Sequence, residues 1–147
     1  MADLTKNRKA YHDYHVLEKF QAGIILQGTE VKSCRAHNIQ LHEAYIRIDD
    51  GEAWLINAHI SLYEQGNLNN HEPLRSRKLL LNKRELRKLG DAVDQKGLAL
   101  IPLNFHIGHG KIKVSVGLCR GKSKGDKREN LKERQAKREM DRAIKNQ

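Results

Sequence analysis

The sequence predicts a mainly β fold: an OB-type antiparallel Greek-key β-barrel with two or three flanking helices and a basic C-terminal tail. Three observations carry that prediction. Short apolar stretches alternate with polar residues at a period of two and are broken by Gly and Asp-Gly turns. Helical patterns interrupt them without the strand–helix–strand rhythm of a parallel sheet, which leaves a small barrel as the simplest way to bury the strands. The 147 residues suffice for one domain plus an appendage, and charge collects at the C-terminal end.

From the N-terminus, "TKNRKAYHDY" places Lys6, Arg8 and Lys9 beside Tyr11 and Tyr14. "HVLEKFQAGIILQG" follows as a strand, with Val16, Glu18 and Phe20 in rough alternation and an apolar run at Gly23–Leu26. "GTEVKSCRAHN" reads as a short helix after a glycine, its Val31 and Cys34 one turn apart. "EAYIRIDDGEAWLINAHI" is a hairpin about Asp49-Asp50-Gly51, since Asp-Gly accepts the positive φ of a tight turn. "NKRELRKLGDAVDQKG" is a helix: Asn82 caps it, Glu85 stands three residues on, Leu86, Leu89 and Val93 form the apolar stripe, and Gly97 ends it. Gly90 interrupts that pattern. "GLALIPLNFHIGHGKIKVSVGL" is a second hairpin around Gly108-His109-Gly110. In its second arm Ile112, Val114 and Val116 alternate with Lys111, Lys113 and Ser115, one face buried and one wet; Pro102 marks an edge or a bulge in the first arm.

A composition shift at "CRGKSKG" divides the chain into a barrel domain, 1–119, and a tail, 120–147. The tail holds 11 Lys/Arg against 5 Asp/Glu, net +6, and the body 17 against 13, net +4. Asp126 and Glu129 suit a helix start, and Glu133–Lys137 and Asp141–Lys145 are favourable pairs one turn apart. Arg134, Arg138 and Arg142, however, stack like charges, and Ala136, Met140, Ala143 and Ile144 make only a narrow apolar stripe. Such a helix is marginal alone. Phosphates would relieve the arginine ladder, so the tail is expected to be disordered when free and helical inside an RNA-lined cavity.

Composition sets the function class. A net charge of +10 and a pI near 9.8 point first to nucleic acid and second to an anionic membrane surface. No apolar run approaches the roughly 20 residues of a membrane span, and "MADLTKNRKAYHDY" has no signal-peptide core, so a cytoplasmic protein without membrane partners is expected. Cys34 and Cys119 fit no zinc or redox spacing and read as reduced, partly buried thiols. There is no nucleophile elbow, phosphate-cradling glycine loop or acidic metal cluster, hence no expected catalytic residue, metal or cofactor. Histidines such as His12 and His106 leave a small ribonuclease as a remote alternative, and His12 with His15 could pair on a metal only if the strand bent. The basic segments, "EPLRSRKLLLNKRELRK" above all, form together a phosphate-facing surface. With aromatics at only 5%, that surface suits folded RNA read by shape better than a stacked single strand.

Six stretches in order, "NRKAYHDY", "AGIILQGTEVKS", "AYIRIDDGEAWLINAHI", "NNHEPLRSRKLLLNKREL", "GLALIPLNF" and "GKSKGDKRENLKER", resemble the small protein B (SmpB) family, the partner of transfer-messenger RNA, tmRNA. The resemblance runs from about Asn7 to Arg142. It implies an OB-type barrel that binds the tRNA-like domain of tmRNA and delivers it to stalled ribosomes in trans-translation. The tail would occupy the empty mRNA channel at the small-subunit decoding centre. It also implies contact, through the tmRNA complex, with the elongation factor that delivers tRNA. Matched by position, the residues implied to face the tRNA-like domain are Asn7, Arg8, His12, Gln21, Thr29, Glu30, Lys32, Ser33, Arg35, Arg77, Lys78 and Leu80. Those implied to face ribosomal RNA are Lys122, Lys124, Asp126, Lys127, Arg128, Lys132 and Arg134. Leu80, inside "KLLL", reads on its own as core, and Glu30 cannot attract phosphate, so a base-edge hydrogen bond or a bond to Arg35 suits it better. The family commonly has Glu where this chain has Gln21, and a ring residue where it has Gly125, a position that cannot stack. A ribosomal or ribosome-assembly protein is the alternative within the RNA-binding class.

Overall fold

Nine strands and three helices order residues 3–123, which the computed structural model describes. In chain order they are β1 (Asp3–Lys6), α1 (Arg8–Asp13), β2 (Tyr14–Ile24), α2 (Gly28–Arg35), β3 (Ile39–Gln40), β4 (Tyr45–Asp49), β5 (Glu52–Ile56), β6 (His59–Ile60), β7 (Arg77–Leu80), α3 (Lys83–Lys96), β8 (Ala99–Gly108) and β9 (Lys111–Gly121). A 3₁₀ turn spans Glu64–Asn69. Seven strands form one antiparallel sheet in the order β1-β8-β9-β2-β7-β5-β4, and β3 pairs with β6 apart from it.

Local chemistry sets the turns and caps. Asp50 and Gly51 join β4 to β5 with φ of 51° and 72°, the mirror-image turn whose twist matches the strands. His109 and Gly110, at 52° and 75°, do the same for β8 and β9, where Gly108 faces Lys111. In α3 the Asn82 side chain accepts from the Glu85 amide at 2.8 Å, the Glu85 carboxylate accepts from the Asn82 amide at 3.3 Å, and Gly97 closes the helix at φ 62°. Gly90 does not break it, and a methyl group there would meet Ile48 at an ordinary 3.7 Å. Helix α1 was not foreseen: Asn7 caps it, its side-chain oxygen accepting from the Ala10 amide at 3.2 Å.

Two apolar clusters hold the sheet. The main one gathers Ala22, Ile46, Leu55, Leu79, Leu89, Phe105, Val114 and Val116. The second lies beneath α1 and joins Ala10 to Ile101, Leu103 and Cys119. One strand serves both because the register of β8 on β9 shifts between Pro102 and Asn104. That bulge reverses the alternation: Leu100 and Phe105 face the main core, Ile101 and Leu103 the second. A Cβ at Gly117 would come within 2.9 Å of the buried Leu103 side chain, so a larger residue there would force Leu103 to shift.

The mainly β class holds, but the closed barrel does not. The ladder ends at β1 and β4, and β4 approaches the first residues of β8 without pairing to them. Side chains from α1 and α3 border that seam, and between them lies a cavity of about 610 Å³ lined by Ala10, Ile46, Ile48, Val93 and Leu100 among others. Among the described residues no helix is long and apolar enough to cross a membrane.

Candidate nucleic-acid interface

Burial divides the residues implied by the resemblance into two groups. In the first, Glu30 and Arg77 are fully buried and bonded to each other, Arg77 Nε donating to Glu30 Oε2 at 2.6 Å. Arg77 also donates from Nη1 to the Ala58 carbonyl at 2.6 Å and from Nη2 to those of Pro73 and Glu72 at 3.0 and 3.3 Å. The other Glu30 oxygen accepts from Arg75 Nη2 at 2.5 Å and from the Gln27 amide at 2.7 Å. Burial alone would push the Glu30 carboxyl up; hydrogen bonds from Arg75, the Gln27 backbone and Arg77 more than reverse this and hold it below the usual range. Glu30 therefore pairs with Arg77 and Arg75 rather than Arg35, and the cluster fastens α2 to β7 and to the segment before it. Asn7 is equally internal: its Nδ2 donates to the carbonyls of Pro102 and Leu41 at 2.9 and 3.2 Å. Ser33 is buried too.

Two more residues sit at the edge of this framework. The Thr29 hydroxyl lies 2.8 Å from His71 Nδ1, while His71 Nε2 lies 2.8 Å from the Ile60 carbonyl. A carbonyl only accepts, so Nε2 carries the proton and Thr29 donates to Nδ1. This ties the first turn of α2 to β6. His12 donates from Nδ1 to the Asp13 carboxylate at 2.8 Å and is half-buried.

The remaining residues are presented outward. Arg8 opens α1 exposed, and Lys32 and Arg35 stand exposed on α2, the Lys32 ammonium 5.2 Å from the Tyr63 ring centre. Lys78 pairs with Glu52 at 3.0 Å on the half-exposed side of β7. Leu80 is 53% exposed, which removes the core reading suggested by its apolar neighbours. It faces Gly23 across the β2–β7 ladder and leans into the space a side chain there would need. Leu80 and Arg35 meet Val31, Lys111 and Lys113 around a groove of about 350 Å³. An apolar floor rimmed by cations suits a phosphodiester with its attached sugar or base.

The sheet extends this groove into a face. Register places Gly23 opposite Lys113 and Lys113 opposite His106; the next row joins Gln21, Ser115 and Asn104; the next joins Lys19 to Gly117. Gln21 is exposed, its side-chain oxygen 2.8 Å from His106 Nε2, while His106 Nδ1 lies 3.0 Å from Asn104 Oδ1. A neutral ring satisfies both amides only when one of them turns its NH₂ toward the ring. Sequence reasoning missed Lys19, Lys111, Lys113 and Asn104 as members of this face. The alternation of Lys111 and Lys113 with core residues was the available signal, and it lacked only the neighbouring strands. The chemistry on offer is binding. Burial pushes the Cys34 thiol up to about 12 and that of Cys119 up to about 11, so neither is a thiolate nucleophile at neutral pH. Among the described residues no three His, Cys, Asp or Glu are grouped to hold a metal ion.

Of the residues implied to meet ribosomal RNA, Lys122 is half-buried and donates to the Tyr11 carbonyl at 3.0 Å. Lys124, Asp126, Lys127, Arg128, Lys132 and Arg134 lie outside the described residues, as do Gly125 and the predicted tail helix.

Comparison with known proteins agrees in sequence and in shape. The SsrA-binding protein of Desulfitobacterium hafniense (strain DSM 10664 / DCB-2) is 53% identical over 144 residues, 98% of this chain and 92% of the relative. That of Thermosynechococcus vestitus is 54% identical over 143 residues, 97% of this chain and 94% of the relative. A solved chain described as "tmRNA-SmpB: a journey to the center of the bacterial ribosome" superposes with a TM-score of 0.69 at 47% identity, covering 86% of this chain and 93% of its own. The model of the SmpB protein family matches residues 4–146, and with relatives this similar over nearly the whole length, the chain belongs to the SmpB family.

Proposed function

We propose that this chain is a non-enzymatic, cytoplasmic adaptor of trans-translation. Its outer face, from Arg8 through Gln21 to Arg35, Leu80 and Lys113, binds the tRNA-like domain of tmRNA. The assembled pair then enters stalled ribosomes, where the C-terminal residues occupy the vacant mRNA channel at the decoding centre. The observation that carries the reading is the exposed Leu80–Arg35 groove, whose apolar floor and cationic rim lie on a scaffold with relatives described as SsrA-binding proteins. Glu30 and Arg77 act by holding α2 in place, not by touching RNA. The β domain and the tail divide the work: one grips folded RNA, the other reads the ribosome.

Deleting residues 124–147, which spares β9 and Lys122, tests that division. Binding to isolated tmRNA should persist while peptide tagging on stalled ribosomes fails. Equal loss of both would overturn the division. Purified ribosomal RNA bound at least as tightly as tmRNA would favour a ribosomal or assembly protein, and RNA cleaved in the presence of chelator would overturn the non-enzymatic reading.

A further inference from the structure

Three lysines from separate parts of the chain converge on Tyr11. The ammoniums of Lys6, on β1, and Lys19, on β2, stand 5.7 and 5.8 Å from the centre of its ring. Lys122, just past β9, donates to its carbonyl at 3.0 Å. Tyr11 and Tyr14 pack on the second apolar cluster, which fixes their rings, and with His15, Leu17, Glu18, Lys19 and Lys122 they line a shallow groove of about 540 Å³. The carboxylates nearby are engaged elsewhere: Glu18 holds Lys88 at 2.8 Å and Asp13 holds His12 at 2.8 Å. Among the described residues no carboxylate pairs with Lys6 or Lys19. Like charges drawn to one ring without a counter-charge raise the local potential, and the ring quadrupole offsets only part of the repulsion.

We propose that Lys6, Lys19, Lys122 and Tyr11 form a phosphodiester-binding site for RNA at the point where the chain leaves the β domain. Its ligand is one backbone phosphate, or two neighbouring ones, held by the ammoniums while the adjoining sugar or base lies along the tyrosine rings. Lys122 keeps two of its three N–H donors for that contact. The site lies along β2 from the Leu80 groove and rests on the RNA-adaptor reading, which it deepens by adding a contact between the face of the β domain and the tail. The same chemistry fits tmRNA or ribosomal RNA.

Full-length wild type and a K6A/K19A variant should be titrated with salt against two probes: a transcript of the tRNA-like domain and purified small ribosomal subunits. Both side chains are exposed, so thermal melting should match wild type. On one probe or both, the slope of log affinity against log salt should fall by about one to two, with binding roughly tenfold weaker at fixed salt. The probe that responds identifies the RNA. K6R/K19R should restore the slope, and Y11L should weaken binding without changing it. Wild-type slopes and affinities for K6A/K19A on both probes would overturn the site. A wild-type protein that does not prefer the tRNA-like transcript to an unrelated duplex would overturn the adaptor reading instead, whatever the double variant does.

Discussion

Strand β7 turns ordinary polarity inside out, and its two faces explain the division within the molecule. On the inner face are Arg77 and Leu79, both buried; on the outer are Lys78 and the exposed Leu80. Arginine thus sits in the core and leucine in water, three positions apart on the same short strand. The inner arginine is tolerable because Glu30 and three backbone carbonyls take up its hydrogen bonds. The outer leucine has no such internal partner, and its exposure beside Arg35, Lys111 and Lys113 fits the RNA contact proposed above. Positive charge alone is therefore no guide to a contact surface in this protein, since Arg77 is wholly internal.

The contrast can be broken most severely from within. Glu30→Ala would leave Arg77 charged and buried without its partner, at a cost of about 3–5 kcal/mol in chemical denaturation. RNA binding by whatever fraction stays folded should be near normal. A specific loss of RNA affinity at unchanged stability would place Glu30 at the interface instead.

Acid perturbs the same pair less drastically. The folded Glu30 carboxyl lies below its ordinary value, so its stabilising contribution is fully present above the unfolded carboxyl's pKa of about 4.3. That contribution drains away as pH falls further, through the folded value. Melting temperature followed downward from pH 6 should fall more steeply below about pH 4 in wild type than in a Glu30→Gln variant, which has no proton to gain there.

Neighbouring leucines sharpen the contrast at smaller scale. Leu79→Ala should cost about 2–5 kcal/mol of stability and leave the RNA affinity of the folded protein alone. Leu80→Ala should do the reverse, weakening tRNA-like RNA binding by about 1–1.5 kcal/mol, roughly tenfold, while stability shifts by no more than about 0.5 kcal/mol. Matching denaturation and binding curves for the two variants would show that the faces of β7 are not specialised.

What could be read from the sequence was whatever a few adjacent residues determine. Asp50-Gly51, the Asn82–Glu85 capping pair, the Gly97 cap and the disruption at Pro102 are all governed by local backbone chemistry, and each appears where the residues place it. The partnership of Glu30 with Arg77 was out of reach because it spans 47 positions and depends on α2 docking against β7. The row of Lys19, Gln21, Lys113 and His106 was hidden for a similar reason: it exists only once β2, β9 and β8 are set in register, and two register shifts reset the alternation along the way. Helix α1 escaped because six residues give too little periodicity, so that its one strong signal was the capping Asn7. Leu80 was misjudged by its company in "KLLL", where strand alternation, not composition, decides which leucine turns outward.

The bond from the Lys122 amide to the Asp13 carbonyl, at 2.9 Å, and that from the Lys122 ammonium to the Tyr11 carbonyl fix the chain just past β9 against α1. Whatever grips the β domain also sets the origin from which the remaining 24 residues beyond Ser123 are measured. In the ribosome-bound helix proposed above, that length would amount to about 36 Å, a lever whose tip would be aimed by how RNA seats the β domain.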